Sequence, residues 1–217
     1  MTYSLKALSS LKDIAKEDWD RCANPMQSAN PLKKNQSVRF DPFVSYDFLF
    51  ALEQSQSACP ETGWAPYHLV LSHEEKGVCG VVAMYLKNHS QGEYVFDYAW
   101  ADAFERAGGN YYPKLQVSVP FTPATGRRLL IADTDLHDEV REHLLAGIIQ
   151  VSEKLGVSSV HLTFLDKAQF DETGKLGFLQ RTHNQFHWVN NDYEDFDDFL
   201  SQLSSKKRKN IKNLSFD

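Results

Sequence analysis

The chain has 217 residues, of which 42% are hydrophobic and 24% charged, values ordinary for one large globular domain with a substantial core. No apolar run reaches the ~20 residues that span a bilayer, and the amino terminus lacks a signal-peptide core, so we expect a cytoplasmic protein without a membrane span. The last twelve residues are basic; without them, 18 basic and 28 acidic residues give a net charge of −10, which argues against a general nucleic-acid binder.

The first half of the chain alternates predicted strands and helices. Hydrophobic spacing predicts a strand at Tyr3–Leu8, a helix at Leu11–Cys22, a polar loop at Ala23–Arg39, a helix that starts near Pro42, and a hairpin of Tyr67–Ser72 with Val78–Lys87. The cysteines Cys22, Cys59 and Cys79 are odd in number and outside CxxC spacing, so we expect buried free thiols and neither a disulfide nor a zinc site.

The second half contains the longest predicted helix. It begins at an N-cap on Thr134 or Asp135 and ends before Gly156, with an apolar stripe that runs from Leu136 to Leu155. The elements that follow are a central strand at Val157–Phe164, a helix at Lys167–Gly174, a strand at Phe178–Val189 and a helix at Phe196–Leu203. Strand pairs flanked by helices predict an α/β domain with a mixed sheet.

One stretch, Tyr85–Ile131, places aromatic and charged residues side by side instead of separating them by a strict period. Such mixing is typical of the lining of a ligand pocket. The alternative is a pair of hairpins whose aromatic side chains pack on the sheet with their polar tips in water.

These strings of residues resemble a known family. The element order resembles the acetyltransferase (GNAT) fold, and DPFVSYDFLFALE, YLKNHSQGEYVFDYAWADAFERAG, YYPKLQVSVPFTPATGRRLL and LGFLQRTHNQFHW are similar to FemAB-like predicted N-acyltransferases of bacteria, over roughly Phe40–Lys212. The resemblance implies transfer of an acyl or aminoacyl group to a small-molecule or peptide amine, with a peptidoglycan precursor as a possible acceptor. Acyl-CoA or aminoacyl-tRNA is the implied acyl donor.

Two features depart from that family. Its members continue into a second GNAT-like half, so we expect residues 1–203 to form one domain and residues 204–217 to be a basic tail or linker toward a C-terminal half-domain that this chain lacks. The usual pyrophosphate loop is also unrecognisable, because Asp133, Asp135, Asp138 and Glu139 surround the start of the long helix. Acidic groups there repel a diphosphate, which predicts weak or absent acetyl-CoA binding and no firmly bound cofactor.

Candidate site residues come from the aromatic and charged stretch. Acyl transfer to an amine needs a proton acceptor, and Asp97 or His89 can supply one; Glu93 is a further candidate. An anionic ligand end would lie against the aromatic side chains and cations, namely Tyr85, Lys87, Trp100, Tyr111, Tyr112, Lys114, Arg127 and Arg128. Each polar residue among these also has a plain alternative as a solvated surface group or an ion-pair partner.

The function remains open between two classes at this point. The first is an N-acyltransferase domain, and the second is a non-catalytic GNAT-like recognition domain. A weaker option is RNA contact through SSKKRKNIKN, which would act at low salt. His183 and His187 share a face of the strand predicted there, but no carboxylate or thiolate at ligand spacing accompanies them, so we expect no metal site.

Overall fold

The computed structural model describes residues 2–25 and 39–214, and the chain divides into two compact units, Met1–Phe178 and Leu179–Asp217. The strands of the first unit are β1 (Tyr3–Leu8), β2 (Trp64–Pro66), β3 (His68–His73), β4 (Gly77–Val82), β5 (Met84–Lys87), β6 (Lys114–Val117), β7 (Leu130–Ile131) and β8 (Val160–Leu162). Its α-helices are α1 (Lys16–Ala23), α2 (Tyr46–Gln54), α3 (Tyr98–Arg106), α4 (His137–Leu155) and α5 (Lys167–Lys175). Most of the loop predicted at Ala23–Arg39 lies outside the described residues.

Two four-stranded sheets form the centre of this unit. Their strand orders are β1-β3-β4-β7 and β2-β5-β6-β8, and every pair is antiparallel except β6 with β8. The predicted hairpin strand Val78–Lys87 therefore contributes β4 to one sheet and β5 to the other, with a break at Ala83. This break matters for the site, because it places the β5 side chains beside β6.

Helix α4 covers one side of the sheets. Its buried side chains Val140, Leu144 and Ile148 pack with strand residues such as Val82 and Leu115. The predicted stripe and the stop at Gly156 are confirmed, and Gly156 takes the left-handed conformation (φ 62°) that glycine accommodates. The N-cap prediction was wrong: Leu136 is the N-cap residue, and the Thr134 hydroxyl accepts a hydrogen bond from its amide (3.2 Å).

Helices α1 and α2 cover the other side. Trp19 is fully buried and donates its indole N–H to the Val44 carbonyl at 2.9 Å, which ties α1 to the turn before α2. All three cysteines are free; Cys22 and Cys79 are buried as predicted, whereas Cys59 is only half-buried. Burial raises the pKa of the Cys22 thiol to about 12, so it is an unreactive core group.

Three predictions about secondary structure were wrong. The strand expected in the centre of the sheet, β8, is the edge strand of its sheet and is only half-buried. The stretch Phe178–Val189 contains no strand: Leu179 and Phe186 are each 97% exposed, and alternation of side chains alone cannot form a strand without a neighbouring edge to pair with. The hairpin alternative for Tyr85–Ile131 fails because Tyr98–Arg106 is a helix.

The second unit contains α6 (Phe196–Ser201), as predicted, and α7 (Ser205–Leu214), where a tail was expected. In the described residues, no helix is both long enough and apolar enough to cross a bilayer, and no three metal-ligand side chains lie together.

Removing the chain from Ser205 onward should change the melting temperature by no more than a few degrees. The basic helix α7 is anchored in its unit by Arg208, which donates to the carbonyls of Ser201 and Leu203, and by an exposed Lys212–Asp197 pair at 3.7 Å. Exposed pairs of this kind contribute about 0–1 kcal/mol. Thermal unfolding of the trimmed and full chains, followed by circular dichroism, checks this; a larger loss would show that α7 supports the fold.

Candidate active site

One face of the second sheet is polar although it is buried. We call the side chains of Trp64, Tyr85, Lys87, Lys114, Gln116 and His161 the polar face. Register places them together, because Lys87 pairs with both Trp64 and Lys114, while Gln116 pairs with Tyr85 and His161. The opposite face of the same strands carries apolar side chains such as Met84 and Leu115 in the core under α4.

Lys114 is the most completely surrounded member of the polar face. Its ammonium group is fully buried and donates to Ser90 Oγ (2.8 Å), Glu93 Oε2 (2.8 Å) and Asp97 Oδ2 (2.6 Å). Tyr111 adds a hydrogen bond to the same Asp97 oxygen at 2.8 Å. The three partners of Lys114 and Tyr111 all belong to residues 88–113, which connect β5 to β6 and which we call the covering segment. This segment therefore closes over the polar face through charged contacts.

The two carboxylates that share Lys114 have opposite pKa shifts. Burial by itself would raise the pKa of Asp97, but the hydrogen bonds from Lys114, Ser90 and Tyr111 outweigh burial and hold the pKa below its usual value. For Glu93, burial dominates over the attraction of Lys114, so its pKa is raised. Carboxylates whose pKa values are pushed apart in this way are typical of sites that move protons.

Lys87, the second lysine of the polar face, has a different environment. It is fully buried, its Nζ lies 3.6 Å from the centre of the Trp64 ring, and it donates to the Gln91 carbonyl at 3.2 Å. Burial, together with the charge of Lys114, lowers the pKa of Lys87 to about 7, although Glu93 acts in the opposite direction.

The polar face and its cover retain unused hydrogen-bonding capacity. Five of their buried side-chain atoms have no hydrogen-bond partner among the described residues: Trp64 Nε1, Tyr85 Oη, Glu93 Oε1, Asp97 Oδ1 and Gln116 Oε1. Ser118 Oγ, directly after β6, is a sixth such atom. Buried polar groups of native proteins are nearly always paired, and whole domains contain only a few exceptions per 100 residues. We therefore take this region as the candidate place for the polar groups of a ligand.

The backbone around the polar face is strained. Tyr94 and Phe121 both have positive φ angles, 56° and 58°. Such conformations cost about 1–3 kcal/mol each in bulky residues and cluster at functional sites. Gly92 (φ 76°) allows the close approach of Phe121, because a Cβ at this position would lie 2.6 Å from the Phe121 ring.

The structure brings six of the ten predicted site residues into this region. Tyr85, Lys87, Asp97, Tyr111 and Lys114 belong to the polar face or contact it directly. Tyr112 joins them through a 2.8 Å hydrogen bond between its hydroxyl and Ser90 Oγ.

The other predicted residues lie in different surroundings. Trp100 is 52% exposed on α3. His89 packs against Gly63 and accepts the Gln91 amide at 3.1 Å; burial and the charge of Lys87 lower its pKa.

Arg127 and Arg128 are directed to backbone carbonyls. Arg127 donates to Ala23 O at 2.6 Å, and buried Arg128 donates to the carbonyls of Thr163 (2.8 Å), Ala124 (2.6 Å) and Arg127 (3.0 Å). Burial lowers the pKa of Arg128 to about 10. Their contact with an anionic ligand stays a prediction, as does the role of His89 as a base.

Sequence reasoning missed Trp64, Ser90 and Gln116. The sequence contains a signal for Gln116. Lys114 and Gln116 alternate with the apolar residues Leu115 and Val117, just as Tyr85 and Lys87 stand on either side of Leu86. Polar residues at every second position of two paired strands place a polar row on one face.

A cavity of about 290 Å³ lies away from the polar face, at the start of α4. Arg21, Lys76, Asp133, Thr134 and Asp135 line it together with apolar residues. Lys76 pairs with Asp135, and Arg141 pairs with Asp138, so two of the four acids around the helix start are neutralised by cations.

A protein-family model matches most of the chain. The FemAB-like family, described as peptidoglycan biosynthesis and recognition, matches residues 10–214 of the chain. No curated protein sequence matches the chain significantly.

Solved structures share the architecture at low sequence identity. A variant of a Bacillus halodurans protein superposes with a TM-score of 0.50 and 11% identity, covering 86% of this chain and 99% of that one. An acetyltransferase of Trypanosoma brucei gives 0.46 at 13% identity (87% and 99% covered), and glucosamine-6-phosphate N-acetyltransferase from Arabidopsis thaliana gives 0.45 at 8% (88% and 100% covered). The predicted α/β class, with a mixed sheet flanked by helices, is confirmed.

Proposed function

Because the chain belongs to the FemAB-like family, we propose that it is an N-acyltransferase whose reaction takes place at the polar face. The observation that carries the proposal is the buried Lys114 with its two carboxylates, surrounded by six polar atoms that have hydrogen-bonding capacity left. If these buried residues served only to stabilise the fold, apolar side chains of similar volume would give a protein that is as stable or more stable.

The groups present match the needs of the reaction. An amine nitrogen forms a bond to the acyl carbon, the bond from that carbon to the donor's sulfur or oxygen breaks, and negative charge develops on the carbonyl oxygen. Asp97 Oδ1 accepts a hydrogen bond from the acceptor amine, while Trp64 Nε1 and the Tyr85 and Ser118 hydroxyls supply neutral donors for the developing oxyanion. Lys114 keeps Asp97 ionised throughout.

The family description supports the choice of acceptor, and the resemblance to FemAB-like enzymes supports the choice of donors. The acceptor is an amine of a peptidoglycan precursor, and the donor is acyl-CoA or aminoacyl-tRNA. The cavity at the start of α4 is lined by Asp133 and Asp135 as well as by Arg21 and Lys76, and Lys76 already pairs with Asp135. Little positive charge is left there for a diphosphate, so we expect only weak binding of acetyl-CoA.

Mass spectrometry of an acyl-transfer reaction tests the proposal. The chain is incubated with acetyl-CoA or with aminoacyl-tRNA, and with a lysine-containing peptidoglycan stem peptide as the acceptor. We expect a new N-acyl product from one of the two donors and none with an acceptor whose amines are blocked. Binding of the stem peptide without any product would favour the recognition domain instead.

A further inference from the structure

The two lysines of the polar face differ in a way that separates their roles. Lys114 has three hydrogen-bond acceptors, two of them carboxylates. Lys87 is equally buried, yet it has one carbonyl and one aromatic ring, and no carboxylate oxygen of the described residues lies within ion-pair distance. One oxygen of each carboxylate, Glu93 Oε2 and Asp97 Oδ2, is bound to Lys114, and neither carboxylate pairs with Lys87.

Every element packed against Lys87 contributes to its protonation equilibrium. Trp64 from β2 presents its ring, which favours the charged form. Lys114 from β6, directly opposite in the register, is a like charge and disfavours it. The covering segment contributes the Gln91 carbonyl, His89 and Glu93, of which only Glu93 supplies negative charge, and its Oε2 is bound to Lys114.

Loss of water is the largest of these influences. A fully buried ammonium without a carboxylate partner is a costly arrangement, and buried lysines commonly respond by releasing their proton. Burial is likewise the leading cause of the lowered pKa of Lys87. An uncharged Lys87 has a free electron pair on the same face of the sheet as Tyr85, Lys114 and Gln116.

We propose that Lys87 presents an uncharged amine to the polar face and accepts the proton that the acceptor must lose before it attacks. This inference rests on the proposed function. The acceptor enters as an ammonium and transfers one proton to Lys87 Nζ. The resulting free amine attacks the acyl carbon, and its second proton leaves with the sulfur or oxygen of the donor. Lys87 then returns its proton to solvent, and the charge of Glu93 stabilises the ammonium meanwhile.

The protonation state is measured directly in the wild-type chain. Carbon-13 NMR of the lysine Cε groups, assigned through the backbone, should show Lys87 titrating with a midpoint near pH 7. This signal should be absent in Lys87→Met and retained in Lys6→Met, which removes an exposed lysine of β1. A Lys87 resonance that stays at its charged position up to pH 9 would overturn the proposal, whether or not the variant folds.

Kinetics then separate this inference from the proposed function. In the transfer reaction, Lys87→Met should lower kcat/KM by roughly 10²- to 10⁴-fold and abolish the acidic limb near pH 7, while Lys6→Met keeps both. Lys87→Arg should not rescue the rate, because arginine stays charged. A wild-type chain with no transfer from either donor refutes the function, whatever the NMR result. Transfer that keeps its rate and pH profile in Lys87→Met refutes the role of Lys87 alone.

Discussion

Replacing Lys114 by methionine should lower the free energy of unfolding by about 3–5 kcal/mol at pH 7. Methionine has nearly the shape of lysine, so the loss comes from charge: Glu93 and Asp97 would remain buried, with their common cation gone. Urea unfolding followed by tryptophan fluorescence measures the loss. The control is Lys167→Met, whose partner Asp171 and own side chain are both substantially exposed, and we expect it to cost no more than about 1 kcal/mol.

The loss should also depend on pH. Without Lys114, the pKa values of Glu93 and Asp97 in the folded variant lie above those of the unfolded chain, since burial then acts unopposed. The folded variant therefore binds more protons than the unfolded chain in this range, and its stability should recover as the pH falls from 7 to 5. Adding Glu93→Gln to Lys114→Met should restore part of the stability at pH 7. A loss under 1 kcal/mol that is independent of pH would show that water reaches the cluster.

The part of the fold that follows from local pattern could be predicted from the sequence. The apolar residues of α4 recur at helical spacing, and the helix ends at Gly156 as the sequence predicts. The covering segment was harder, because aromatic residues favour strands in general and Tyr98–Arg106 is nevertheless a helix. The strong β-formers of α3, namely Tyr98, Trp100 and Phe104, are exposed, and Ala101 is the buried residue of this helix.

How much of the site the sequence predicts depends on whether a residue's contacts follow from strand alternation or from tertiary packing. Alternation in KLQV and YLK indicates that each strand has one polar side. Strand register then places Lys114 opposite Lys87. For Arg128 the sequence predicts an anion contact, which stays a prediction; it does not predict the hydrogen bond from the guanidinium to a carbonyl 35 residues away. No local pattern contains that information, since it depends on which backbone carbonyls tertiary packing leaves unpaired.

Replacing Asp97 by asparagine should reduce the rate of acyl transfer by roughly 10²- to 10⁴-fold while the fold persists. Asp97 is the N-cap residue of α3, yet its side chain makes no capping hydrogen bond; Oδ2 instead receives Lys114 and Tyr111, and Oδ1 is left for the amine. Asparagine keeps the shape but lacks the charge that attracts an ammonium acceptor. Glu93 remains to neutralise Lys114, so the stability loss should be smaller than that of Lys114→Met.

The matched control lies on the same helix. Asp102→Asn changes an exposed carboxylate of α3 that pairs with Arg106, so transfer should continue at the wild-type rate. Comparing kcat/KM of the two variants across acceptor concentrations separates lost binding from lost chemistry: a raised KM alone means that Asp97 holds the amine, whereas a lowered kcat means that it acts in the transition state. If Asp97→Asn transfers as fast as Asp102→Asn, the Lys114 cluster stabilises the fold without taking part in the reaction, and the polar face must owe its unpaired groups to something other than acyl transfer.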